Sequence, residues 1–357
     1  MRCAGAAGHR RRQPQLDVPH NPIPDPPALA SLVEASNAVP FVPYTKRPVR
    51  EARFSQSSSN ETTMKVSKGT ICVHSLRDVV PNLNVLWSSG TTWHGIRAEA
   101  YHLEEVETPR FQRVDHSVVV HLSIPAQVEL KTDGRCDTRK RIPGDLAILP
   151  ASTVREVRSR DPHEVLVVTV SQEVVAQTAL DSGSGTPIEL IPRAYHRDAQ
   201  LEHICWALKA EAECNYVSGP LYGESLALAV CVHLLRQRFG KDSFMAKKGG
   251  IAPRALRRVV DYIESNLDSP LRMASLAEVS GLSQYRFAHN FKSATGVPPY
   301  QYVLRTRLDR AKQMLRQTNL SVLDIAYAVG CQSVSRFNAL FRRELGTTPS
   351  NYRASFR

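Results

Sequence analysis

Hydrophobic and polar positions change rhythm along the chain. Between about 70 and 171 the apolar residues come in short runs: Ile71-Cys72-Val73, Asn84 to Trp87, Ser117 to Ile124, Val128 to Lys131, Leu146 to Leu149 and Val165 to Val170. Val and Ile dominate these runs, and Pro, Gly, Asp and Asn separate them, a pattern that predicts strands. Several short strands at this spacing predict a sandwich or a barrel. From about 172 to 240 the period turns helical. Asp198 can cap a helix carrying Leu201, Ile204, Cys205 and Leu208. A second helix carries Leu221, Leu228, Val232 and Leu235, and Leu226, Ala229, Val230 and Leu234 widen its apolar face beyond one packing surface. Either an internal core contact or a subunit interface accounts for that width. Lys241 to Gly250 reads as a flexible linker.

Before residue 63 neither period is sustained. Nine of the 23 prolines fall between Pro14 and Pro48, and Ser55 to Thr63 is a polar run, so this stretch reads as a disordered extension. Met64 opens Met64-Lys65-Val66 just ahead of the first strand-like run. The compositional break there suggests Met64 as the true start of translation. The intact mass of protein from its native source tests that idea, and a mass matching the full chain ends it.

The last hundred residues contain a repeat. Phe287, Phe291, Gly296, Pro299 and Tyr302 match Phe337, Phe341, Gly346, Pro349 and Tyr352, a Phe-x3-Phe-x4-Gly-x2-Pro-x2-Tyr pattern offset by 50. Upstream, Leu271, Leu276, Ala277 and Gly281 match Leu320, Ile325, Ala326 and Gly330 at an offset of 49. Each copy predicts helix, turn, helix. In the first, Ser275 can cap a short helix bearing Leu276, Ala277 and Val279, Gly281 supplies the turn, and Ser283 can cap the next helix. Phe287 and Phe291, four apart, point together into a core. In the second, Ser321 caps, Gly330 turns, and Gln332 or Ser333 opens the helix holding Phe337 and Phe341. Gly296 and Gly346 end these helices. Between the copies, Pro298 to Gln317 reads as one helix with Tyr302, Val303, Leu308, Ala311, Met314 and Leu315 on its apolar face. Its twenty residues span ~30 Å, close to the ~34 Å between successive major grooves on one face of DNA.

Charge sharpens this picture. The net charge is +12, and residues 241–357 hold 19 Lys/Arg against 8 Asp/Glu, a net of +11. Such a segment implies an anionic partner. On the two second helices, the face opposite the Phe pairs presents Tyr285, Arg286, Ala288, His289 and Lys292 in one copy, and Ser335, Arg336, Asn338, Ala339 and Arg342 in the other. Gln284 and Gln332 stand at the helix starts, where base or phosphate contact is common. Arg and Gln can bond purine edges bidentately. The candidate DNA-binding residues are therefore Gln284, Tyr285, Arg286, His289, Lys292, Gln332, Ser335, Arg336, Asn338 and Arg342.

With these residues in place, 254–353 resembles the tandem helix-turn-helix domain of AraC/XylS-type transcription regulators. The resemblance rests on Leu276-Ala277, Gly281-Leu282-Ser283, Phe287-x3-Phe291-Lys292, Gly296, Arg307-Leu308 with Ala311 and Leu315, Ile325-Ala326, Gly330, Phe337-x3-Phe341-Arg342, Gly346-x2-Pro349 and Tyr352-Arg353. Cys331 departs from it, since the family usually has Phe after the turn Gly; a looser second turn is the expected consequence. The resemblance implies a cupin-like β-barrel ahead of a helical dimerisation segment, a homodimer, contact with RNA polymerase, and activation more than repression.

The β region raises one competing class, a metal-dependent cupin enzyme. Gly144-Asp145-Leu146-Ala147-Ile148-Leu149-Pro150 resembles the cupin Gly-x5-Pro turn and strand. A metal cupin also needs a His-x-His pair, a Glu and a later His. Residues 151–155 hold no His, His116 and His121 fall on opposite sides of a strand, and His94, His102 and His163 are scattered. Neither a phosphate-binding glycine loop nor a nucleophile elbow is present. No catalytic residue, metal or cofactor is therefore expected. A sensor pocket lined by Trp87, Trp93, Tyr101 and His121 is the expectation, with an empty dimerisation scaffold as its alternative.

The 357 residues, 42% hydrophobic and 22% charged, suit a soluble protein of two or three domains. No apolar run approaches membrane-spanning length, and the basic start has no apolar core behind it, so no secretory signal is read there. Seven irregularly spaced cysteines without Cys-x-x-Cys argue against a disulfide framework or zinc site and fit a reducing cytoplasm. The expected organisation is a multidomain chain. Its parts are a disordered extension over 1–63, a mainly-β, cupin-like effector-binding domain over 64–197, a helical dimerisation segment over 198–240, a linker over 241–251, and an all-α double helix-turn-helix domain over 252–357. The expected partners are double-stranded DNA, a second copy of the chain, RNA polymerase and a small-molecule effector, with no membrane.

Overall fold

The computed structural model describes residues 66–67, 70–90, 92–151, 153–182, 189–214, 216–239 and 250–356. The extension over 1–63, the start at Met64 and linker residues 241–249 lie outside them.

Thirteen strands form two sheets among these residues. In chain order they are β1 (Val66–Ser67), β2 (Thr70–Val73), β3 (Asn84–Ser88), β4 (Ile96–Leu103), β5 (Val106–Glu107), β6 (Phe111–Arg113), β7 (His116–His121), β8 (Ala126–Thr132), β9 (Arg135–Arg141), β10 (Leu146–Leu149), β11 (Arg155–Ser159), β12 (His163–Val170) and β13 (Arg193–His196). One sheet runs β1-β2-β6-β11-β8-β9, with β5 also paired to β11; the other runs β13-β10-β7-β12-β4-β3. Among the described strands no ladder joins the two sheets into a closed cylinder. The charged strand β9 ends the first sheet with exposed Arg135, Arg139 and Lys140, which suits a solvated edge.

Strand β12 shows why its sequence reads as an unbroken apolar run. Val165 and Val167 pack with Tyr101 and Leu103 on one face. Leu166, Val168 and Val170 pack on the other face against helices. Both faces are covered, so no polar alternation remains.

The helices are α1 (Gln172–Asp181), α2 (Ala199–Glu213), α3 (Pro220–Phe239), α4 (Pro253–Ser265), α5 (Met273–Ser280), α6 (Gln284–Thr295), α7 (Pro299–Gln317), α8 (Val322–Ala328), α9 (Val334–Leu345) and α10 (Pro349–Ala354). Asp198 caps α2, its Oδ1 accepting from the Leu201 N–H at 2.9 Å. The broad apolar face of α3 is consumed within the chain. Ala227, Val230, Cys231, Leu234 and Leu235 join the cluster behind the β12 sheet. Leu221 and Leu228 join the first helix-turn-helix core. The width of that face therefore no longer argues for a subunit interface. Gly223 lets α3 approach Trp93 closely, because a Cβ there would lie 2.3 Å from the indole. Among the described residues no helix is long and apolar enough to cross a membrane.

Candidate nucleic-acid interface and inter-sheet cavity

Two small cores carry the repeat. Phe287 and Phe291 are fully buried with Leu276, Ala277, Val259 and Ile263. Phe337 and Phe341 are fully buried with Ile325, Ala326, Leu340 and Val329. The linking helix α7 feeds both, with Val303 in the first core and Leu308, Ala311 and Leu315 in the second. Its 19 residues span ~28 Å. Tyr302 and Tyr352, the last residues of the repeated pattern, stand edge-on to Phe291 and Phe341 at 5.5 Å in both copies.

The turns obey the same logic with informative differences. Gly281 and Gly330 both take the left-handed conformation, at φ 72° and 76°. At Gly330 a Cβ would sit 2.3 Å from the Leu267 carbonyl oxygen, so close approach as well as φ demands glycine. Cys331 is buried in the second core. Ser321 and Asp324 form a capping box at α8, and Ser333 Oγ accepts from the Arg336 N–H at α9. Ser275, expected to cap α5, lies inside that helix, which starts at Met273. The Met273 N–H is instead satisfied by Glu224 Oε2 on α3 at 2.8 Å, and Arg272 donates to Glu224 Oε1 at 2.8 Å. Ser283 occupies the N-cap position of α6 without making the cap bond.

Of the ten candidate DNA-binding residues, His289, Lys292, Gln332, Ser335 and Arg342 are exposed, while Gln284, Arg286, Arg336 and Asn338 are half-buried. Arg336 donates to Gln332 Oε1 at 3.3 Å, which holds two candidates together at the start of α9. Tyr285 is different. It is only 6% exposed and packs in the cluster built by the β12 sheet, α2 and α3. Burial raises its pKa, with the charge of Arg236 acting the other way. Helix α1 packs on α6, and Gln284 borders a cleft shared with His94, Glu224 and Arg272. The α9 end meets the loop before α3, where Arg343 donates to Ser218 Oγ at 3.2 Å. Behind that serine, burial raises the pKa of Glu211, while its bonds from Ser218 and the charges of Arg343 and Arg336 lower it. In this arrangement the start of α6 is covered, while His289 and Lys292 further along α6, and Ser335 and Arg342 on α9, stay exposed.

A second site lies between the sheets. A cavity of about 110 Å³ is lined by Phe111, Arg113, Leu130 and Arg155 from one sheet and by Val119, His121, Leu146, His163 and Val167 from the other, with Arg141 and Asp145 also on its wall. Of the four residues expected to line a pocket, His121 borders this cavity and Trp93 borders the cleft shared by His94, Glu224 and Arg272. Tyr101 lies in a neighbouring cluster with its hydroxyl 3.0 Å from Ser75 Oγ, and burial with the charge of Glu99 pushes its pKa up to about 12. Trp93 is buried on the helix side of the sheet, edge-on to Tyr216, and Trp87 packs on that same side. His121 and His163 stack at 5.3 Å. Burial lowers both of their pKa values, against the bonds to the Ile124 and Asp161 carbonyls at 2.8 Å.

Arg113 and Arg155 are the cavity residues that the sequence reading missed. Both are 2% exposed. The available signal was parity: Arg113 shares the inward face of β6 with Phe111, and Arg155 shares that of β11 with Val157. Among the described residues no group of three or more His, Cys, Asp or Glu is placed to hold a metal ion.

Residues 276–355 match the model of a family described as a helix-turn-helix domain. The HTH-type transcriptional regulator CdhR of Pseudomonas aeruginosa is 34% identical over 110 residues, 31% of this chain and 33% of that protein. The transcriptional activator NphR of a Rhodococcus species is 27% identical over 275 residues, 72% of this chain and 76% of that protein. A solved structure of a transcriptional regulator with an AraC-type DNA-binding domain, from Chromobacterium violaceum, is 33% identical, covers 29% of this chain and 92% of that one, and has a TM-score of 0.27. In several curated relatives the match spans about half of their length or less.

Proposed function

We propose that the chain is an AraC/XylS-type helix-turn-helix transcription regulator with a β-rich N-terminal region, and that it is an effector-responsive activator, reading one DNA site with α6 and α9 in successive major grooves. The observation that carries this reading is the shared linking helix, whose two ends are built into the two cores. A connection of ~28 Å fixed at both ends holds two equivalent helices at close to the ~34 Å groove repeat. Lys292, Arg286, Arg336 and Arg342 would supply phosphate and base contacts, with Gln284 and Gln332 at the helix starts. In the family pattern the protein would act in the cytoplasm as a homodimer beside RNA polymerase. Residues 64–197 would serve as its cupin-like, effector-binding part, 198–240 as its pairing segment and 252–357 as its DNA-binding part.

Tyr285 gives the regulation a physical form. DNA cannot enter against the start of α6 while that side chain is buried in the N-terminal cluster and α1 packs on the helix. Engagement of both helices then requires α6 to leave α1, and an effector acts by changing the population of that open arrangement. The test is a footprint of the full chain on DNA flanking its own gene, at physiological salt. Protection of two successive major grooves on one DNA face per protomer is the expected result. A footprint no more discrete on that DNA than on random sequence overturns specific readout.

A further inference from the structure

Arg307 lies where the two helix-turn-helix units touch. On α7 it stands four residues after Val303, on the face turned to the first core. Its Nε donates to the Leu267 carbonyl at 3.0 Å and its Nη2 to the Ser269 carbonyl at 2.7 Å, both in the loop that joins α4 to α5. The same guanidinium meets the turn of the second unit. A Cβ placed on Gly330 would lie 2.3 Å from the Leu267 oxygen and 2.7 Å from Arg307 Nη2. Arg307 makes no ion pair among the described residues, whereas its neighbours Arg272 and Lys312 do. Burial lowers its pKa, and the charges of Cys331 and Asp268 act the other way.

Two carbonyls two residues apart suit the flat fork of a guanidinium, which donates from Nε and Nη2 at once. A lysine ammonium carries the same charge, but as a point donor on a flexible stem. The fork adds a constraint that the linking helix alone does not supply. Val303 and Leu308 commit α7 to the two cores, and five residues of helix put them ~140° apart around its axis. The units thus sit on different sides of one helix, and a twist along that helix changes how α9 stands relative to α6. A group ~10 Å from the axis, the distance at which helices pack, moves ~3.5 Å for a twist of ~20°. That is close to the ~3.4 Å step between base pairs. Arg307 opposes such a twist, because it holds the first unit's loop against the second unit's turn.

We propose that Arg307 is a positioning residue that clamps the two units together and fixes the distance between α6 and α9, so that the chain selects operators by the spacing of the two contacted grooves as well as by their base sequence. The proposal rests on the two-groove reading above and names the residue that sets its spacing. In it the Arg307 guanidinium contacts protein and no phosphate, although residues 241–357 carry a net charge of +11.

The test uses the full chain and the operator located by its footprint, with and without one base pair inserted between the two protected grooves. Fluorescence anisotropy gives each Kd at one fixed salt concentration. The wild type is expected to bind the inserted operator at least tenfold more weakly. Arg307→Ala, checked for native circular dichroism, is expected to lose less than threefold on the same insertion. Arg307→Lys should fall between them, since it keeps the charge without the fork, and it carries the comparison where Arg307→Ala fails to fold. A spacing penalty equal to that of the wild type in a native variant overturns the proposal. The salt dependence of binding should match wild type in Arg307→Ala; a slope of log Kd against log salt smaller by about 1 marks Arg307 as a phosphate contact and also overturns it. Hydrogen exchange on the DNA-free chain separates the clamp from the two-groove reading. The Ser269 N–H bonds to the Asn266 carbonyl and the Cys331 N–H to the Ala326 carbonyl, and both amides should exchange at least tenfold faster in Arg307→Ala. Faster exchange together with a wild type that tolerates the insertion supports the clamp and defeats the two-groove reading. Unchanged exchange at both amides defeats the clamp, whatever the wild type does on DNA.

Discussion

Removing the Glu224 carboxylate should release α3 from the first helix-turn-helix unit and tighten DNA binding. Glu224 is 5% exposed and accepts from the Met273 N–H and from Arg272, each at 2.8 Å. Glu224→Ala leaves the first N–H of α5 without a partner in a buried setting, at a cost of ~1–3 kcal/mol. The loss of the Arg272 pair adds under ~1 kcal/mol, because that guanidinium is 44% exposed and screened by solvent. Docking of α3 against α5 therefore weakens by ~1–4 kcal/mol, a factor of ~5–700 at 1.4 kcal/mol per decade. The docked arrangement is the one that covers Tyr285, so the operator Kd of the full chain should fall by up to that factor. Fluorescence anisotropy with labelled operator at one fixed salt concentration measures it, since the phosphate contribution changes with salt. Glu224→Gln, whose amide oxygen can still accept from Met273, should fall between wild type and Glu224→Ala. An unchanged or weaker Kd in a variant with native circular dichroism would refute the idea that this contact restrains α6.

Three further outcomes are expected from the structure. Arg336→Ala should weaken specific binding by ~1–3 kcal/mol and relax preference at one base pair; an unchanged preference at every position of the site removes Arg336 from the readout. Gly330→Ala forces a Cβ onto a left-handed backbone at φ 76° and within 2.3 Å of the Leu267 oxygen. Strain of ~1–3 kcal/mol from the backbone alone should lower the thermal midpoint and erase the α9 half of the footprint, and a wild-type midpoint would contradict the turn geometry. Burial lowers the pKa values of His116, His121 and His163 below the usual 6.5. The unfolded chain therefore binds more protons as pH falls through 6.5, and the stability held above that pH is lost towards the lower folded-state values. Thermal midpoints recorded from pH 7.5 to 5 should decline on the acid side, and a flat profile would show these rings to be solvated.

The helix-turn-helix half was legible because each copy carries its own local signals. The Phe pairs, the turn glycines and Pro299 each dictate backbone or burial without help from distant residues. The α3 face was legible as apolar, but not its use. A face wider than one contact can serve two contacts in one chain or one contact with another chain, and periodicity does not distinguish them. Strand β9 escaped because its Arg, Asp and Lys residues have no apolar alternation. It is defined by pairing with β8 around the Asp133-Gly134 turn, where φ is 46° and 82°. The inter-sheet cavity was the least legible part. Trp87 and Trp93 drew attention as large aromatic residues, yet they face the helix side of their sheet, and sheet pairing alone decides which face meets the other sheet. Arg113 and Arg155 would ordinarily be assigned to solvent.

The placement of β12 and α3 suggests how the two sites communicate. Val165 and Val167 on β12 border the cavity, and their neighbours Leu166 and Val168 pack in the cluster that holds α3 and Tyr285. One strand therefore separates a ligand from the helix that restrains α6. A packed strand of this kind does not deform gradually, so filling the cavity acts only if the cavity differs between the docked and released arrangements. A ligand with equal affinity for both would stabilise the fold and leave operator binding where it was. The two measurements thus report different things, with thermal midpoint reading occupancy and operator Kd reading the difference in affinity. A ligand that raises the first and moves the second by a factor α has a coupling free energy of RT ln α between cavity and DNA. Reciprocity then requires operator DNA to change the affinity for that ligand by the same α. Calorimetry of the ligand with and without operator checks that equality, and unequal factors would mean that the DNA effect arises at some site other than this cavity.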